Sequence, residues 1–112
     1  MISKELVAAS AKPLILSMLA GGESYGYELI QHVRRLSDGE LNWKDGMLYP
    51  VLHRLEDQEL IRSEWRNGES ERKRRYYMIT RKGKKALEME KAQWERVHST
   101  LTKSWEVKLC LP

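Results

Sequence analysis

The last quarter of the chain restricts the fold more than any other part of the sequence. From Arg81 to about Leu109 the residues predict one helix, in which Gly83 is the only weak helix former, with a length of about 40 Å. Apolar residues recur along it at spacings close to seven and form a seam of Leu87, Trp94, Val97, Leu101 and Trp105. That seam is too long for the core of a 112-residue chain to bury, and such a helix generally packs against a partner. We therefore expect residues 81–112 to form a C-terminal dimerisation helix.

Two shorter helices are predicted at the start of the chain. The first segment runs from about Lys4 to Ala20, and Pro13 within it predicts either a kink or a short lead-in followed by a helix that starts near Lys12. A pair of glycines ends this segment. Ser24 is expected to cap the second helix, whose apolar stripe consists of Tyr27, Ile30, Val33 and Leu36.

A third helix and a β-hairpin follow. The helix is expected to begin near Asp45 and to end near Gln58 or Glu59, with an inward face of Leu48, Val51, Leu52 and Leu55. Alternating side chains from Ile61 to Arg66 predict a strand, residues 67–70 a turn, and residues 74–80 a second strand. The hairpin of these two strands is the wing of a winged helix-turn-helix, in which the third helix enters the DNA major groove. The predicted fold is mainly α with a small β-hairpin (α+β): a winged helix-turn-helix domain over residues 1–80, then the dimerisation helix.

The third helix has an outward face that the core does not use. This face is formed by Gly46, Met47, Tyr49, Pro50, His53 and Arg54. Free N–H groups at a helix start bind phosphate, Tyr49 can hydrogen-bond a phosphate, and Met47 can touch a thymine methyl group. Tyr25 is placed to contact phosphate as well, whereas Tyr27, Trp43 and Trp65 are expected to be structural. The alternative is a solvated helix face that tolerates a proline near its start.

Positive charge is concentrated in one stretch of the chain. Residues 72–85 contain eight lysines and arginines and no acidic residue, although the net charge of the whole chain is only +4. A basic stripe on a mildly acidic body is typical of nucleic-acid binding, and the alternative is a solvated turn and helix start. The wing residues expected to reach phosphates or the adjacent minor groove are Arg72, Lys73, Arg74 and Arg75.

The residue inventory argues against an enzyme. The three histidines have no metal-ligand spacing, the single cysteine, Cys110, has no histidine nearby, and no glycine-rich loop could cradle a phosphate. We therefore expect no catalytic residue, no metal and no cofactor.

No apolar run approaches the roughly 18 to 20 residues of a membrane helix, and the N-terminus lacks the regions of a signal peptide. The expected location is the cytosol, with no membrane partner.

Three stretches of the sequence resemble a known family. They are "ILSMLAGGESYGYELIQHV", "GELNWKDGMLYPVLHRLEDQELI" and "RRYYMIT", and they are similar to the PadR family of bacterial transcriptional regulators over residues 14–82. The single C-terminal helix resembles that of the compact subfamily, in which this helix crosses to the other subunit and makes the dimer. In some compact members an aromatic-lined space at that interface holds flat, hydrophobic, often cationic compounds, and Trp94 falls where such members carry a tryptophan.

The resemblance implies a homodimeric repressor of transcription in the bacterial cytosol, at the nucleoid when it is bound to DNA. Two third helices would lie about 34 Å apart, one turn of double-stranded DNA, on a palindromic operator. A small planar aromatic or cationic hydrophobic effector bound at the seam would change that spacing and release the DNA. Two alternatives stay open: the seam residues only pack against each other, or the fold is a winged-helix protein-interaction module without effector sensing.

Overall fold

Four helices and a three-stranded antiparallel sheet form the fold, as a computed structural model describes it for residues 1–67 and 72–107. In chain order the elements are α1 (Lys4–Ala20), β1 (Ser24–Tyr25), α2 (Gly26–Leu36), α3 (Asp45–Asp57), β2 (Ile61–Asn67), β3 (Lys73–Ile79) and α4 (Arg81–Val107). The predicted α+β winged helix-turn-helix with a long last helix is confirmed, and β2 and β3 are its wing. The turn was predicted over residues 67–70, but Asn67 is the last residue of β2. The rest of that turn, the predicted helix end near Leu109 and Cys110 lie outside the described residues. Within the described ranges, no helix combines the length and the apolar character needed to cross a membrane.

The first helix is the centre of the domain, because α1 contacts α2, α3, β3 and α4. Its start is capped by Ser3, whose hydroxyl oxygen accepts a hydrogen bond from the amide of Leu6 at 3.3 Å. Pro13 lies inside this continuous helix, so the predicted lead-in with a helix start near Lys12 is wrong. The buried side chains of α1 are Ala11, Ile15, Leu16, Met18 and Leu19.

The second and third helices pack on this core. The apolar pattern of the sequence predicts the buried face of α3 correctly but places Tyr27 of α2 wrongly. In α2 the buried apolar side chains are Leu29 and Val33, whereas Tyr27 is 63% exposed, so its predicted core position is wrong. In α3 the predicted inward face is confirmed: three leucines are buried and Val51 packs against them. The connecting segment buries Trp43, in agreement with its predicted structural role.

A short strand that the sequence did not predict ties the helices to the wing. β1 pairs with β3 in the order β1-β3-β2, with Ser24 opposite Tyr77. The sequence predicted that Ser24 caps α2, but the N-cap residue is Tyr25. The Ser24 hydroxyl instead donates a hydrogen bond to Glu28 at 2.8 Å.

The start of α4 packs closely against the turn between α3 and β2. Thr80 caps the helix, since its hydroxyl oxygen accepts a hydrogen bond from the amide of Gly83 at 3.0 Å. The same hydroxyl donates to the carbonyl oxygen of Leu60. Gly83 is buried against that carbonyl so closely that a Cβ at position 83 would overlap it. The glycine that looked like a weak position in the helix is a point of close packing.

Only the first turns of α4 belong to the core. Leu87 is 4% exposed and lies within the core cluster, so its predicted place in the dimer seam is wrong. Farther along, α4 carries several large exposed apolar side chains, and we call three of them, Val97, Leu101 and Trp105, the outer seam. The molecule measures 68 × 30 × 21 Å along its principal axes, and the 27-residue helix extends beyond the domain.

Candidate nucleic-acid interface

The outward face of α3 carries most of the residues predicted for it. Its exposed members are Gly46, Tyr49, Pro50, His53 and Arg54. Met47 differs, because it is half-buried and packs against the core, which corrects its predicted outward position. The N-cap residue of α3 is Lys44, so the helix begins at Asp45. Pro50 is consequently the sixth helical residue, where its missing N–H removes one hydrogen bond, to the carbonyl of Gly46.

A cleft of about 530 Å³ opens between the starts of α2 and β3, the middle of α3 and the wing. We call it the wing cleft. It brings together predicted DNA contacts from three separate elements, namely Tyr25, Tyr49, His53, Arg72, Lys73, Arg74 and Arg75. The cleft thus places aromatic rings and positive charges next to the exposed face of α3. Positive charges bind a phosphate backbone, and aromatic rings stack on bases.

Two aromatic residues of the wing cleft were assigned elsewhere by sequence reasoning. Trp65 was expected to seal the helices against the wing, and Tyr27 was expected in the core, but each is 63% exposed and lines the cleft. The period-two alternation of β2 does place Trp65 on the same side of the strand as Ser63. It does not reveal that the strand extends past the helices, which leaves the indole without a covering element.

Arg75 differs from the other three basic residues that were predicted as DNA contacts of the wing. Its guanidinium donates from Nη2 to Glu56 Oε1 at 2.9 Å and from Nε to Ser63 Oγ at 2.8 Å. Arg72, Lys73 and Arg74 are exposed, and the guanidinium carbon of Arg74 lies 4.5 Å from the centre of the Tyr25 ring. Only three of the four predicted wing cations are therefore open to a ligand.

The opposite face of the wing is tied to the segment before α2. Arg66 donates two hydrogen bonds to the carboxylate of Glu23, at 2.6 and 2.7 Å, and one to Glu64 at 2.6 Å. The hydrogen bond from Arg66 lowers the pKa of Glu23, and the two carboxylates raise the pKa of Arg66. The Arg66 guanidinium also lies 4.8 Å from the centre of the Tyr76 ring, which packs edge-on against Tyr25. Tyr25 is thus held in place from behind.

Helix starts at the interface differ from those elsewhere in the domain. Ser3 caps α1 and Thr80 caps α4 through side-chain oxygens. Among the described residues, no side chain caps the first amides of α2 or α3. Those amide groups, with the positive end of each helix dipole, remain available to an anion.

Burial also raises the pKa of the Tyr77 hydroxyl at the cleft, so this group is neutral at neutral pH.

A second, apolar groove of about 400 Å³ lies on the other side of the domain, between α1 and α4. Its walls are Ile2, Leu6, Ser10, Pro13, Leu14, Leu41 and Trp94. Trp94 is half-buried, and its Nε1 donates to Glu90 at 3.2 Å, while Lys12 pairs with the same carboxylate at 3.4 Å. The indole is therefore held by Glu90 as one wall of this groove. Within the described residues, no cluster of His, Cys, Asp and Glu could hold a metal ion.

Known proteins with the same fold and sequence features are regulators of transcription. The sequence profile of the "Transcriptional regulator PadR-like family" matches residues 15–89. A transcriptional regulator from Clostridium thermocellum is 32% identical, with a TM-score of 0.84 over 92% of this chain and 97% of that one. A PadR family transcriptional regulator from Eggerthella lenta is 36% identical, with a TM-score of 0.78 over 91% of this chain and 87% of that one. The transcriptional regulator YqjI of Escherichia coli is 31% identical over 88 residues, which are 79% of this chain and 41% of YqjI.

Proposed function

This chain belongs to the PadR-like family of transcriptional regulators, and we propose that it is a dimeric repressor that holds a palindromic operator between α3 and the wing of each subunit. The chain is a DNA-binding regulator and not an enzyme, like its family and its structural neighbours. The observation that carries the finer proposal is the wing cleft, where exposed aromatic and basic side chains adjoin the exposed face of α3.

The proposed role of α3 is to enter the major groove with its outward face. Tyr49 donates to a phosphate or a base edge, and His53 and Arg54 meet the backbone. Within the described residues, nothing lies within 4 Å of the position that a Cβ at Gly46 would take. This position therefore lets the helix backbone approach DNA closely, with Pro50 exposed one turn farther on. The uncapped amides of α2 and α3 give phosphate further donors.

The proposed role of the wing is to follow the phosphate backbone beside the groove. Arg72, Lys73 and Arg74 supply the charge, and Tyr25 supports Arg74 from below at 4.5 Å. Trp65 joins this set because its exposed indole lines the same cleft and can lie against sugars or bases.

A binding measurement tests this assignment with matched variants. The probe is the duplex that the wild-type protein selects from a randomised pool, titrated at several salt concentrations. Tyr49→Ala and Arg72→Ala should each weaken binding, and Arg72→Ala should also lower the slope of log K against log salt by about 0.9. Arg96→Ala removes the same charge from the exposed surface of α4 and should change neither quantity. If Tyr49→Ala and Arg72→Ala bind like wild type, the DNA contacts lie on another surface. If the wild-type protein selects no duplex, the protein-interaction alternative replaces this assignment.

The dimer proposal is supported by the outer seam. Val97, Leu101 and Trp105 are exposed apolar residues on one stripe of a helix that leaves its own domain. Pairing of two such stripes would bury them and hold two copies of α3 at a fixed separation.

An effector role is the second candidate function, and the apolar groove beside Trp94 supports it. Its walls are almost entirely apolar, and Trp94 offers one face of an indole held by Glu90. A planar hydrophobic compound would stack there, and its binding beside α4 would alter the spacing of the two subunits and release the operator. Titration of planar aromatic dyes against tryptophan fluorescence tests this role. Dyes should quench wild type and Trp65→Phe but not Trp94→Phe, and equal responses of all three proteins would exclude Trp94.

A further inference from the structure

Three side chains from three elements form a closed ring of hydrogen bonds beside the wing cleft. Glu56 lies near the end of α3, Ser63 is in β2 and Arg75 is in β3. Arg75 donates to Glu56 Oε1 at 2.9 Å and to Ser63 Oγ at 2.8 Å, and the Ser63 hydroxyl donates to Glu56 Oε2 at 2.6 Å. Each carboxylate oxygen therefore has its own donor.

Two aromatic rings also lie beside the guanidinium group of Arg75. Its central carbon lies 5.8 Å from the centre of the Trp65 ring and 5.7 Å from that of Tyr77. The Arg75 and Glu56 side chains retain only 31% and 28% of their exposure. A phosphate that approached Arg75 would have to compete with a carboxylate already in place, and that carboxylate would repel it.

This ring of hydrogen bonds lies at the junction between the end of α3 and the two strands of the wing. α3 ends at Asp57, and β2 starts at Ile61, so the chain turns sharply between the two DNA-facing elements. β2 and β3 pair over seven residues each, so a small change of angle at their base displaces the far end of the wing by a larger distance. A charge-assisted link from the end of α3 to both strands helps to fix that angle.

We propose that Glu56, Ser63 and Arg75 are positioning residues, which set the angle between the recognition helix and the wing so that both reach one DNA duplex, and that Arg75 does not contact DNA. This proposal rests on the proposed use of α3 and the wing. The proposal predicts an unusual direction for the change in affinity. Loss of a carboxylate beside a DNA site ordinarily strengthens binding, because its Coulomb repulsion of the phosphates is removed. Loss of the Glu56 carboxylate instead weakens binding.

The test compares Glu56→Gln and Arg75→Gln with two matched controls. Asp57→Asn removes the same charge one residue farther along, at an exposed position, and Arg72→Gln removes an exposed wing cation. The probes are the duplex that the wild-type protein selects from a randomised pool and a mixed-sequence duplex of equal length. Glu56→Gln should weaken binding to the selected duplex about tenfold, while Asp57→Asn leaves it unchanged or slightly tighter.

The salt dependence separates positioning from direct contact. Arg72→Gln should lower the slope of log K against log salt by about 0.9, and Arg75→Gln should leave that slope at the wild-type value. The double variant Glu56→Gln/Arg75→Gln should bind no more weakly than the weaker single variant, because both break one ring. Affinity for the mixed-sequence duplex should stay within about twofold of wild type for every ring variant, which a variant that fails to fold could not achieve.

Three results would overturn the proposal. Glu56→Gln could bind the selected duplex as tightly as wild type or more tightly, Arg75→Gln could lower the salt slope as Arg72→Gln does, or the ring variants could lose affinity for both duplexes equally. Failure of the wild-type protein to select any duplex is a different result, since it removes the proposed function itself.

Discussion

The hydroxyl group of Tyr49 lies against the first residue of α2, Gly26, in the space that a Cβ at position 26 would occupy. The two helices thus meet at a point where one partner has no side chain. Tyr49 remains 41% exposed, so its ring is held by α2 on one side and open to the wing cleft on the other. The orientation of a proposed DNA contact on α3 is therefore set by a glycine on α2.

Gly26→Ala should weaken DNA binding without unfolding the protein. The added methyl group meets the far end of the Tyr49 side chain and not backbone, so the ring can swing aside. We expect binding to the selected duplex to fall about tenfold, the effect of one lost hydrogen bond to a charged group, with little change in the urea midpoint. In a Tyr49→Ala background the same substitution should have no effect on binding, and an equal loss in both backgrounds would contradict this coupling.

Gly83→Ala should be far more damaging, although it is also a glycine in a helix. Here the methyl group would overlap the carbonyl of Leu60, which belongs to the backbone and cannot rotate away. We expect the free energy of unfolding to fall by about 3 kcal/mol, measured by urea denaturation. Lys84→Ala, at the exposed neighbouring position, should stay within about 0.5 kcal/mol of wild type. Helix propensity alone predicts that Gly83→Ala stabilises by about 1 kcal/mol, and that outcome would contradict the packing argument.

These two glycines illustrate how far the sequence predicts the fold. Apolar spacing sufficed to identify the four helices and the inward face of α3, where the period of 3.6 records the buried side. It did not identify the buried side of α2, since Tyr27 and Leu36 are exposed. Spacing says nothing about which glycine is a site of close approach, since that depends on an element distant in the chain. The strand β1 was missed for the same reason: its two residues carry no period, and only β3 as a neighbour makes them a strand.

The candidate site could be predicted in its composition but not in its arrangement. The basic wing and the outward residues of α3 follow from charge and period. The exposure of Tyr27 and Trp65, the burial of Leu87 and the engagement of Arg75 by Glu56 depend on where elements end relative to one another. A heptad-like spacing, in particular, continues from the intramolecular core at Leu87 into the exposed outer seam without any change in the sequence that marks the boundary.

Acid should weaken the link between the wing and the segment before α2. The folded-state pKa of Glu23 is lowered by its hydrogen bonds from Arg66. The stabilisation is therefore fully present above the ordinary carboxyl pKa of 4.5 and is lost as the pH falls through the lowered value. The difference in melting temperature between wild type and Glu23→Gln should shrink as the pH falls below 4.5. Glu95→Gln, exposed on α4, should follow the wild-type curve, and a Glu23→Gln difference that is constant with pH would contradict the assignment.

Leu101→Glu should convert the proposed dimer into monomers. Leu101 lies in the middle of the outer seam, and a carboxylate there would be buried without a partner if two seams pack together. Ser99→Glu adds the same charge two residues away, on a different face of α4. Sedimentation velocity should find a monomer for Leu101→Glu and a dimer for both Ser99→Glu and wild type. A dimeric Leu101→Glu variant would show that another surface makes the contact.

The same variant connects the seam with DNA recognition. Two reading domains joined through α4 bind a palindrome with the second half-site at high effective concentration, an advantage of about 10² to 10⁴ in affinity. Leu101→Glu should lose that advantage on the selected palindrome and still bind a single half-site as wild type does, because α3 and the wing cleft are unchanged. Fluorescence anisotropy with both duplexes measures the two affinities. Equal loss on both duplexes would mean that the substitution damages the reading domain itself, and no loss on the palindrome would mean that the two domains read DNA independently.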